Sequence, residues 1–311
     1  MAKIKLFTHH DLDGVTCSIL INAMYKDSLG VNTQFSTPYR IDEIVGRWVN
    51  EGKYEFFDKV YITDLSINAD TSKLLDGTGI DVVLLDHHDG DNRYLSNVYR
   101  WYNVMPEYSA GMMTFYKLQS EFSNNMNALN HLNRFYQFVV ATQAYDLWTW
   151  KENNYIVSKQ LNDLYYLIGQ DEFITRFSDN PDIRFSNIEN YLLYINERRM
   201  DNYVKSKLYR KTDKVLEVDG ESYKVGVVYA EDFINELADA ILDSNGSLQV
   251  AMIINTSKSV SLRSRDGKSA QKIAQYYGGD GHPDSSGFPI SDTDKDSLID
   301  YILRNPNKGD K

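Results

Sequence analysis

Short apolar runs alternate with stretches of helical periodicity over the first hundred residues. The runs are continuous, which is typical of strands covered on both faces of a sheet. The predicted strands occupy 4–7, 31–37, 59–66 and 81–88. The predicted helices between them occupy 15–25, 44–49 and 68–77. Because strands that alternate with helices predict crossover connections, we expect an α/β domain with a parallel, doubly wound sheet.

The pattern changes near residue 109, where helical spacing takes over. It continues into a long, increasingly charged helix, which we interpret as a linker. Beyond it, two strand patterns meet at Asp219-Gly220, a dipeptide typical of hairpin turns, and further strands and helices follow. These features predict a second, smaller mixed α/β domain. The predicted division is an N-terminal domain with a helical segment at 1–190, a linker helix at 191–213 and a C-terminal domain at 214–311.

Composition and charge narrow the class of protein. Hydrophobic residues are 42% and charged residues 25% of the 311 positions, as in folded soluble proteins. The single cysteine, Cys17, excludes an internal disulfide or a cysteine-based zinc cluster, and we predict that it is buried. The first residues contain no long apolar segment, so we expect a cytoplasmic protein without membrane association. The net charge of −11 disfavours binding to long duplex nucleic acid, which requires broad basic surfaces.

Acidic and imidazole residues follow three of the four predicted strands. The carboxyl ends of parallel strands line the ligand crevice of an open sheet, so these segments are expected to converge on one site. The residues are His9, Asp11 and Asp13 after the first strand, Asp64 in the third, and Asp86, His87 and His88 in the fourth. Asp64 alone would be interpreted as a turn or helix cap. The coincidence of three such strand ends favours a shared site.

Several carboxylates at one place repel each other, and divalent cations hold them together most simply. Histidine mixed with carboxylate favours manganese, with magnesium, cobalt, iron and zinc as alternatives. Two ions that share carboxylates would form the two-metal arrangement that hydrolyses phosphoesters.

Five segments, in order along nearly the whole chain, resemble the motifs of one family. They are HHDLDGV at 9–15, ITDLS at 62–66, LLDHH at 84–88, AYDLW with Asp146, and SVSLRSRDG followed by GGDGHPDSSGF. The first four resemble the motifs of the DHH phosphoesterases, and the last pair resembles the glycine-rich signature of their associated C-terminal domain. The amino-acid sequences of these motifs are most similar to those of the oligoribonuclease (nanoRNase) branch, which degrades very short RNAs.

The resemblance implies a role for each matched residue of the N-terminal domain. One metal ion would be held by His9, Asp11 and Asp64, and the other by Asp13, Asp64, His87 and Asp146. Asp64 would bridge the two ions. His88 would lie beside the scissile phosphate, where it protonates or steadies the leaving side, and Asp86 would orient the histidines.

The resemblance also assigns substrate binding to the C-terminal domain. The residues are Arg263, Ser264, Arg265, Gly279, Gly281 and His282. The two guanidinium groups could hold phosphate oxygens bidentately, and the glycines could let the backbone approach a nucleotide. Asp280 stands where the family generally has glycine, and it places a negative charge near the expected phosphate. The 23 tyrosines suggest base stacking, but most are expected in the core, and none is singled out.

These observations predict a metal-dependent phosphodiesterase that hydrolyses short single-stranded RNA or DNA, including dinucleotides, to nucleoside 5'-monophosphates. The alternatives are a phosphatase of 3'-phosphoadenosine 5'-phosphate, a phosphodiesterase of cyclic dinucleotides, and an inorganic pyrophosphatase. A non-catalytic nucleotide sensor is a further alternative, which the full set of competent ligand residues disfavours. The oligomeric state stays open, with a homodimer among the alternatives.

Overall fold

The structure, a computed structural model, describes residues 3–26, 30–88, 90, 92–257, 259–281, 283–294 and 296. Its contacts divide the chain into two compact units, residues 1–194 and 195–311. Among the described residues, every helix is too short or too polar to span a lipid bilayer.

The first unit contains a sheet of five parallel strands in the order β2-β1-β3-β4-β5. The strands are β1 (Ile4–His9), β2 (Val31–Ser36), β3 (Lys59–Thr63), β4 (Asp81–Asp86) and β5 (Tyr102–Val104). The predicted parallel sheet is therefore confirmed. Sequence periodicity missed β5, because three residues are too few to show a pattern. The order reverses direction between β1 and β3, the kind of position where open α/β sheets bind ligands.

Helices cover both faces of this sheet. They are α1 (Leu12–Met24), α2 (Ile41–Asn50), α3 (Ala69–Asp76), α4 (Ala110–Glu121), α5 (Met126–Asn133), α6 (Tyr136–Asp146), α7 (Ile156–Ile168), α8 (Gln170–Asp179) and the beginning of α9 (Asn187–Tyr209). Short 3-10 helices lie at Lys53–Phe56 and Arg93–Asn97.

Successive residues of a strand enter opposite cores, as the period of two requires. In β4, Val83 and Leu85 pack with α1 and the helices from α4 onward, whereas Val82 and Leu84 pack with α2 and α3. This confirms the doubly wound architecture. Cys17 is fully buried in α1, and burial raises the pKa of its thiol well above the ordinary value. It is a buried hydrophobe, as predicted.

The second unit contains a six-stranded mixed sheet in the order β10-β11-β9-β8-β7-β6. Only β7 and β8 pair in parallel within this described sheet. The strands are β6 (Thr212–Val218), β7 (Glu221–Tyr229), β8 (Val250–Asn255), β9 (Ser259–Ser264), β10 (Asp280–Gly281) and β11 (Ser285–Pro289). Its helices after α9 are α10 (Ile234–Ser244) and α11 (Ser269–Tyr276). The predicted mixed α/β character is confirmed.

The end of the predicted linker helix differs from the structure. Helix α9 ends at Tyr209, and Thr212 already belongs to β6, where it pairs with Val227. The charged pattern of the helix runs into the polar outer face of an edge strand, so no sharp boundary is visible in the sequence there.

Candidate metal centre

Three neighbouring strands bring the ligand candidates to one edge of the sheet. His9 ends β1, Asp64 follows β3 directly, and Asp86 ends β4. Because β1, β3 and β4 are adjacent and parallel, their carboxyl ends lie side by side.

The first group of possible ligands contains His9, Asp11 and Asp64. One nitrogen or oxygen atom from each lies within 4.8 Å of the others. His9 Nδ1 is 2.8 Å from Asp11 Oδ2 and 3.6 Å from Asp64 Oδ2. Asp11 also caps α1, since its Oδ1 accepts a hydrogen bond from the Gly14 amide at 3.0 Å. This cap uses only one of the two carboxylate oxygens of Asp11.

The second group contains Asp13, His87 and Asp146, whose ligand atoms also lie within 4.8 Å of one another. His87 Nε2 is 3.3 Å from Asp146 Oδ2 and 3.4 Å from Asp64 Oδ1. Asp64 therefore directs one oxygen toward His9 and the other toward His87, so it lies between the two groups.

Asp64 is held in an unusual backbone conformation. Its φ is 57°, in the left-handed region that non-glycine residues rarely adopt. Its amide donates to the Leu85 carbonyl at 2.9 Å, which ties the end of β3 to β4. Strain of this kind persists where the surroundings over-determine it, and it is common at functional sites.

Asp13 is held by the beginning of α4, a contact that sequence reasoning missed. The Gly111 amide donates to both carboxylate oxygens of Asp13, at 3.0 and 3.2 Å. A Cβ atom at Gly111 would lie 2.8 Å from Asp13 Oδ1, so a larger residue would displace the carboxylate. The helix cap Ser109, followed by two small residues, was the available signal.

Several ligand atoms are buried without a hydrogen-bond partner among the described residues. They are both oxygens of Asp64, His87 Nε2 and Asp146 Oδ2. Buried polar atoms are nearly always paired in folded proteins, so four such atoms at one place indicate a bound ligand such as an ion. Nitrogen and carboxylate donors in two groups suit two divalent cations, and this chain therefore fits the metal site that its motifs imply.

The pKa values follow from the same crowding. Burial, together with the neighbouring carboxylates, raises the pKa of Asp64 and Asp146 well above the usual range, and burial also raises that of Asp13. Burial alone would lower the pKa of His9, but the carboxylates of Asp11 and Asp64 outweigh it and raise that pKa to about 10. Without cations this cluster retains protons, so cation binding must release them.

Asp86 and His88 form a pair beside the two groups. His88 Nδ1 lies 2.8 Å from Asp86 Oδ1, so the ring edge with Nε2 faces away from Asp86. Ser66 donates to the other Asp86 oxygen, a support that was not predicted. Asp86 Oδ1 also accepts a hydrogen bond from the backbone amide of His87 at 2.8 Å, and this bond does not involve the His87 ring. Among the described contacts, the Asp86 carboxylate thus pairs with the ring of His88 and with the amide of His87, and its role as an orienting residue stays a prediction.

The substrate-binding residues predicted in the second unit lie on different faces of its sheet. Arg263 donates to Asn235 Oδ1 at 2.6 Å and Arg265 to Asp243 Oδ1 at 3.1 Å, both on α10. The Ser264 hydroxyl oxygen instead accepts a hydrogen bond from the backbone amide of Ala270, on α11, at 3.2 Å. Strand alternation therefore separates the serine from the two arginines.

The glycines of the C-terminal signature have a packing role in the structure. A Cβ atom at Gly279 would lie 2.1 Å from the Gly287 carbonyl oxygen, and one at Gly281 would lie 2.7 Å from Ser286 Cα. In the structure, the backbone of Gly279 and Gly281 closely approaches strand β11. His282 lies outside the described residues, and the substrate roles in this unit stay predictions.

Comparison with known proteins agrees with the motifs. Residues 3–142 match the family described as DHH family, N-terminal domain. The oligoribonuclease NrnB of Bacillus subtilis (strain 168) is 30% identical over 305 residues, covering 92% of this chain and 73% of the relative. The exonuclease RecJ bound to manganese has a similar fold, with a TM-score of 0.57, 14% identity and coverage of 97% of this chain and 89% of that one. RecJ of Thermus thermophilus with Mn²⁺ gives the same TM-score and identity, over 97% of this chain and 52% of that one. The chain belongs to the DHH family.

Proposed function

We propose that this protein is a divalent-metal-dependent phosphodiesterase that hydrolyses short oligonucleotides, including dinucleotides, to nucleoside 5'-monophosphates. One observation carries the proposal. Two groups of buried, unpaired ligand atoms meet at Asp64, whose two oxygens face different groups. This arrangement suits two ions that share one carboxylate, and a shared carboxylate is typical of two-metal phosphoester hydrolysis.

The residues of the chain divide into two ligand sets with Asp64 as the bridge. His9 and Asp11 would complete the first set, and Asp13, His87 and Asp146 the second. When bound, the ions would activate water and stabilise the charge on the phosphoryl oxygens. The four carboxylates carry four negative charges, which two divalent ions balance. The site then attracts a phosphate although the chain as a whole is acidic, with a net charge of −11.

His88 is the group proposed to act on the leaving oxygen. Burial alone would lower its pKa, but the hydrogen bond and charge of Asp86 outweigh burial and raise it. A raised pKa favours the protonated ring, which can donate a proton or a hydrogen bond as the phosphoester bond breaks. Asp86 is the positioning residue, because it fixes the orientation of the His88 ring.

Substrate length is proposed on two grounds. The similarity to NrnB covers most of both chains, and NrnB is named an oligoribonuclease. The acidic charge opposes a long track of phosphate contacts, which a short substrate does not need. Binding of the substrate end by Arg263, Ser264 and Arg265 and a cytoplasmic location stay predictions, and the oligomeric state stays open.

Manganese is the proposed ion because the ligands mix imidazole nitrogen with carboxylate oxygen. An all-oxygen site would favour magnesium or calcium, and a thiolate site would favour zinc. The test is activity after chelation and readdition of single ions. We expect Mn²⁺ to restore the highest rate, and the metal proposal is wrong if Mg²⁺ alone restores more.

A hydrolysis panel tests the substrate. It contains an RNA dinucleotide, an RNA of about 20 nucleotides, 3'-phosphoadenosine 5'-phosphate, a cyclic dinucleotide and pyrophosphate, with products separated by chromatography. We expect the dinucleotide to give nucleoside 5'-monophosphates fastest. If the dinucleotide survives while another compound is hydrolysed, the proposed substrate class is wrong.

A further inference from the structure

The last turn of α7 is fixed against the segment that carries the first metal ligands. Tyr165 is 6% exposed and packs its ring 5.4 Å from that of Phe173. Its hydroxyl donates to the carbonyl of His10, the residue between His9 and Asp11. This partly buried contact therefore ties the turn to the segment of the candidate metal centre.

Tyr166 follows in the same turn, and its ring is 71% exposed. The ring centroid lies 5.1 Å from that of Tyr165, with the planes at 64°. The Tyr166 ring therefore lies one ring contact away from Tyr165, whose hydroxyl reaches the His10 carbonyl between two candidate metal ligands. A residue so exposed adds little to the stability of the fold, and it is accessible to a ligand.

Trp148, two residues after Asp146, is another exposed aromatic residue near a candidate ligand, at 40%. Its ring is already engaged by its own chain. Lys151 Nζ lies 4.9 Å from the ring centroid, and the rings of Tyr145 and Trp150 pack at 5.5 and 6.0 Å. Among the described residues, the Trp148 ring thus has three partners and the Tyr166 ring has one, so Tyr166 is the stronger candidate for an external ligand.

We propose that the Tyr166 ring stacks on a nucleobase of the short oligonucleotide whose phosphate lies at the metal centre. The inference rests on the proposed function and adds a residue that positions the substrate. Stacking suits this chain because it gives affinity without positive charge, and every base offers a π-face. It also predicts tolerance of base identity rather than recognition of one sequence.

Equilibrium binding tests the stacking separately from catalysis. The probes are a dinucleotide with a non-hydrolysable phosphonate linkage and the same compound without its bases. Tyr166→Ala should weaken binding of the base-bearing probe roughly 5- to 150-fold, the range given by alanine substitution at stacking residues. Tyr166→Phe keeps the ring and should change binding less than about twofold. Tyr191→Ala removes a tyrosine of similar exposure, 64%, from α9 and serves as the control.

The outcomes separate the two proposals. An equal loss on both probes, or no loss on the base-bearing probe, would overturn the stacking role. If the wild type hydrolyses no dinucleotide, the proposed function is wrong, whereas the binding comparison still decides the role of Tyr166. Failure of the wild type to bind either probe would overturn both. Unchanged melting of Tyr166→Ala is also expected, because the ring is exposed.

Discussion

The two ends of β3 carry two clusters of charge, one partly buried and one buried, that differ in whether their polar atoms have partners within the chain. At the amino end, Glu121 accepts hydrogen bonds from Lys59, Tyr61 and Tyr25, and Lys59 Nζ lies 2.5 Å from the carboxylate. At the carboxyl end, both oxygens of Asp64 are buried without a partner among the described residues. A charge whose partners lie in its own chain needs no ligand, whereas a cluster of buried atoms without partners indicates one.

The direction of the pKa shift separates the clusters in the same way. Burial alone would raise the pKa of Glu121, but Lys59 and the two tyrosines outweigh it and lower that pKa. For Asp64, burial and the charges of Asp11 and Asp13 raise the pKa, and His9 does not offset them. One carboxylate is stabilised as an anion by its own chain, and the other needs an external cation.

Replacement of the bridging carboxylate should give the largest effect. Asp64→Asn keeps the size of the side chain, and asparagine tolerates the left-handed backbone. Loss of the shared ligand should lower kcat/KM by about a thousandfold or more, on the order of 4 kcal/mol. In chelator the variant should melt no lower than the wild type, because a repelling carboxylate is removed. Steady-state kinetics and thermal melts measure both, and near-normal turnover with Mn²⁺ would contradict the assignment.

The pH dependence of stability should reverse when metal is added. The pKa values of Asp13, Asp64, Asp146 and His9 are all raised in the folded state. Between pH 5 and 8 the folded state therefore binds more protons than the unfolded state, and stability in chelator should fall as the pH rises. The slope is about 1.4 kcal/mol per pH unit for each proton of difference.

Saturating Mn²⁺ should remove or reverse this slope, because the ion binds the deprotonated ligands. Denaturant unfolding at several pH values, with and without the ion, provides the comparison. Identical slopes in chelator and in Mn²⁺ would contradict proton release from the cluster.

The contribution of Glu121 to stability should have the opposite pH dependence. Glu121→Gln removes the closest anion of Lys59 and leaves it beside the more exposed carboxylate of Asp81, at 3.2 Å. The free energy of unfolding should therefore fall by about 2 kcal/mol at neutral pH. Because the folded pKa of Glu121 is lowered, its contribution is present above the unfolded pKa and is lost as the pH falls through the folded value. Denaturant unfolding at pH 7 and pH 3 tests this, with kcat/KM expected within about twofold of the wild type. A large loss of activity without a loss of stability would contradict the structural role.

Lys5, on the neighbouring strand β1, should change the pH dependence of stability in the alkaline range. Burial and the charge of Lys53 lower its pKa from 10.5 to about 8. Between these values the folded state releases a proton that the unfolded state keeps, so stability should rise with pH by about 2–3 kcal/mol. Lys5→Met should remove this rise. Urea unfolding from pH 8 to 10 measures it, and parallel curves for both proteins would show that Lys5 does not titrate there.

Periodicity predicted the doubly wound sheet because local patterns report burial directly. The apolar run before Asp86 is the clearest case: Val82 and Val83 enter opposite cores, as a strand buried on both faces requires. Proximity of the ligand residues also followed from a general property, the alignment of parallel strand ends.

The supporting contacts could not be predicted, since they join distant segments. Gly111 meets Asp13 across 98 positions, and Lys59 meets Glu121 across 62. The left-handed backbone of Asp64 likewise depends on its amide reaching β4. In the second unit, the resemblance assigned Arg263 and Ser264 to one substrate site, yet alternation along β9 directs them to different helices.

The most direct test of a two-ion centre is the number of Mn²⁺ ions bound per chain. Equilibrium binding, followed by the electron paramagnetic resonance signal of free Mn²⁺, should give two ions per wild-type chain at pH 8. Asp64→Asn should lose at least one of them, and Glu121→Gln should keep both. Binding of fewer than two ions by the wild type, or of two with unchanged affinity by Asp64→Asn, would contradict the account.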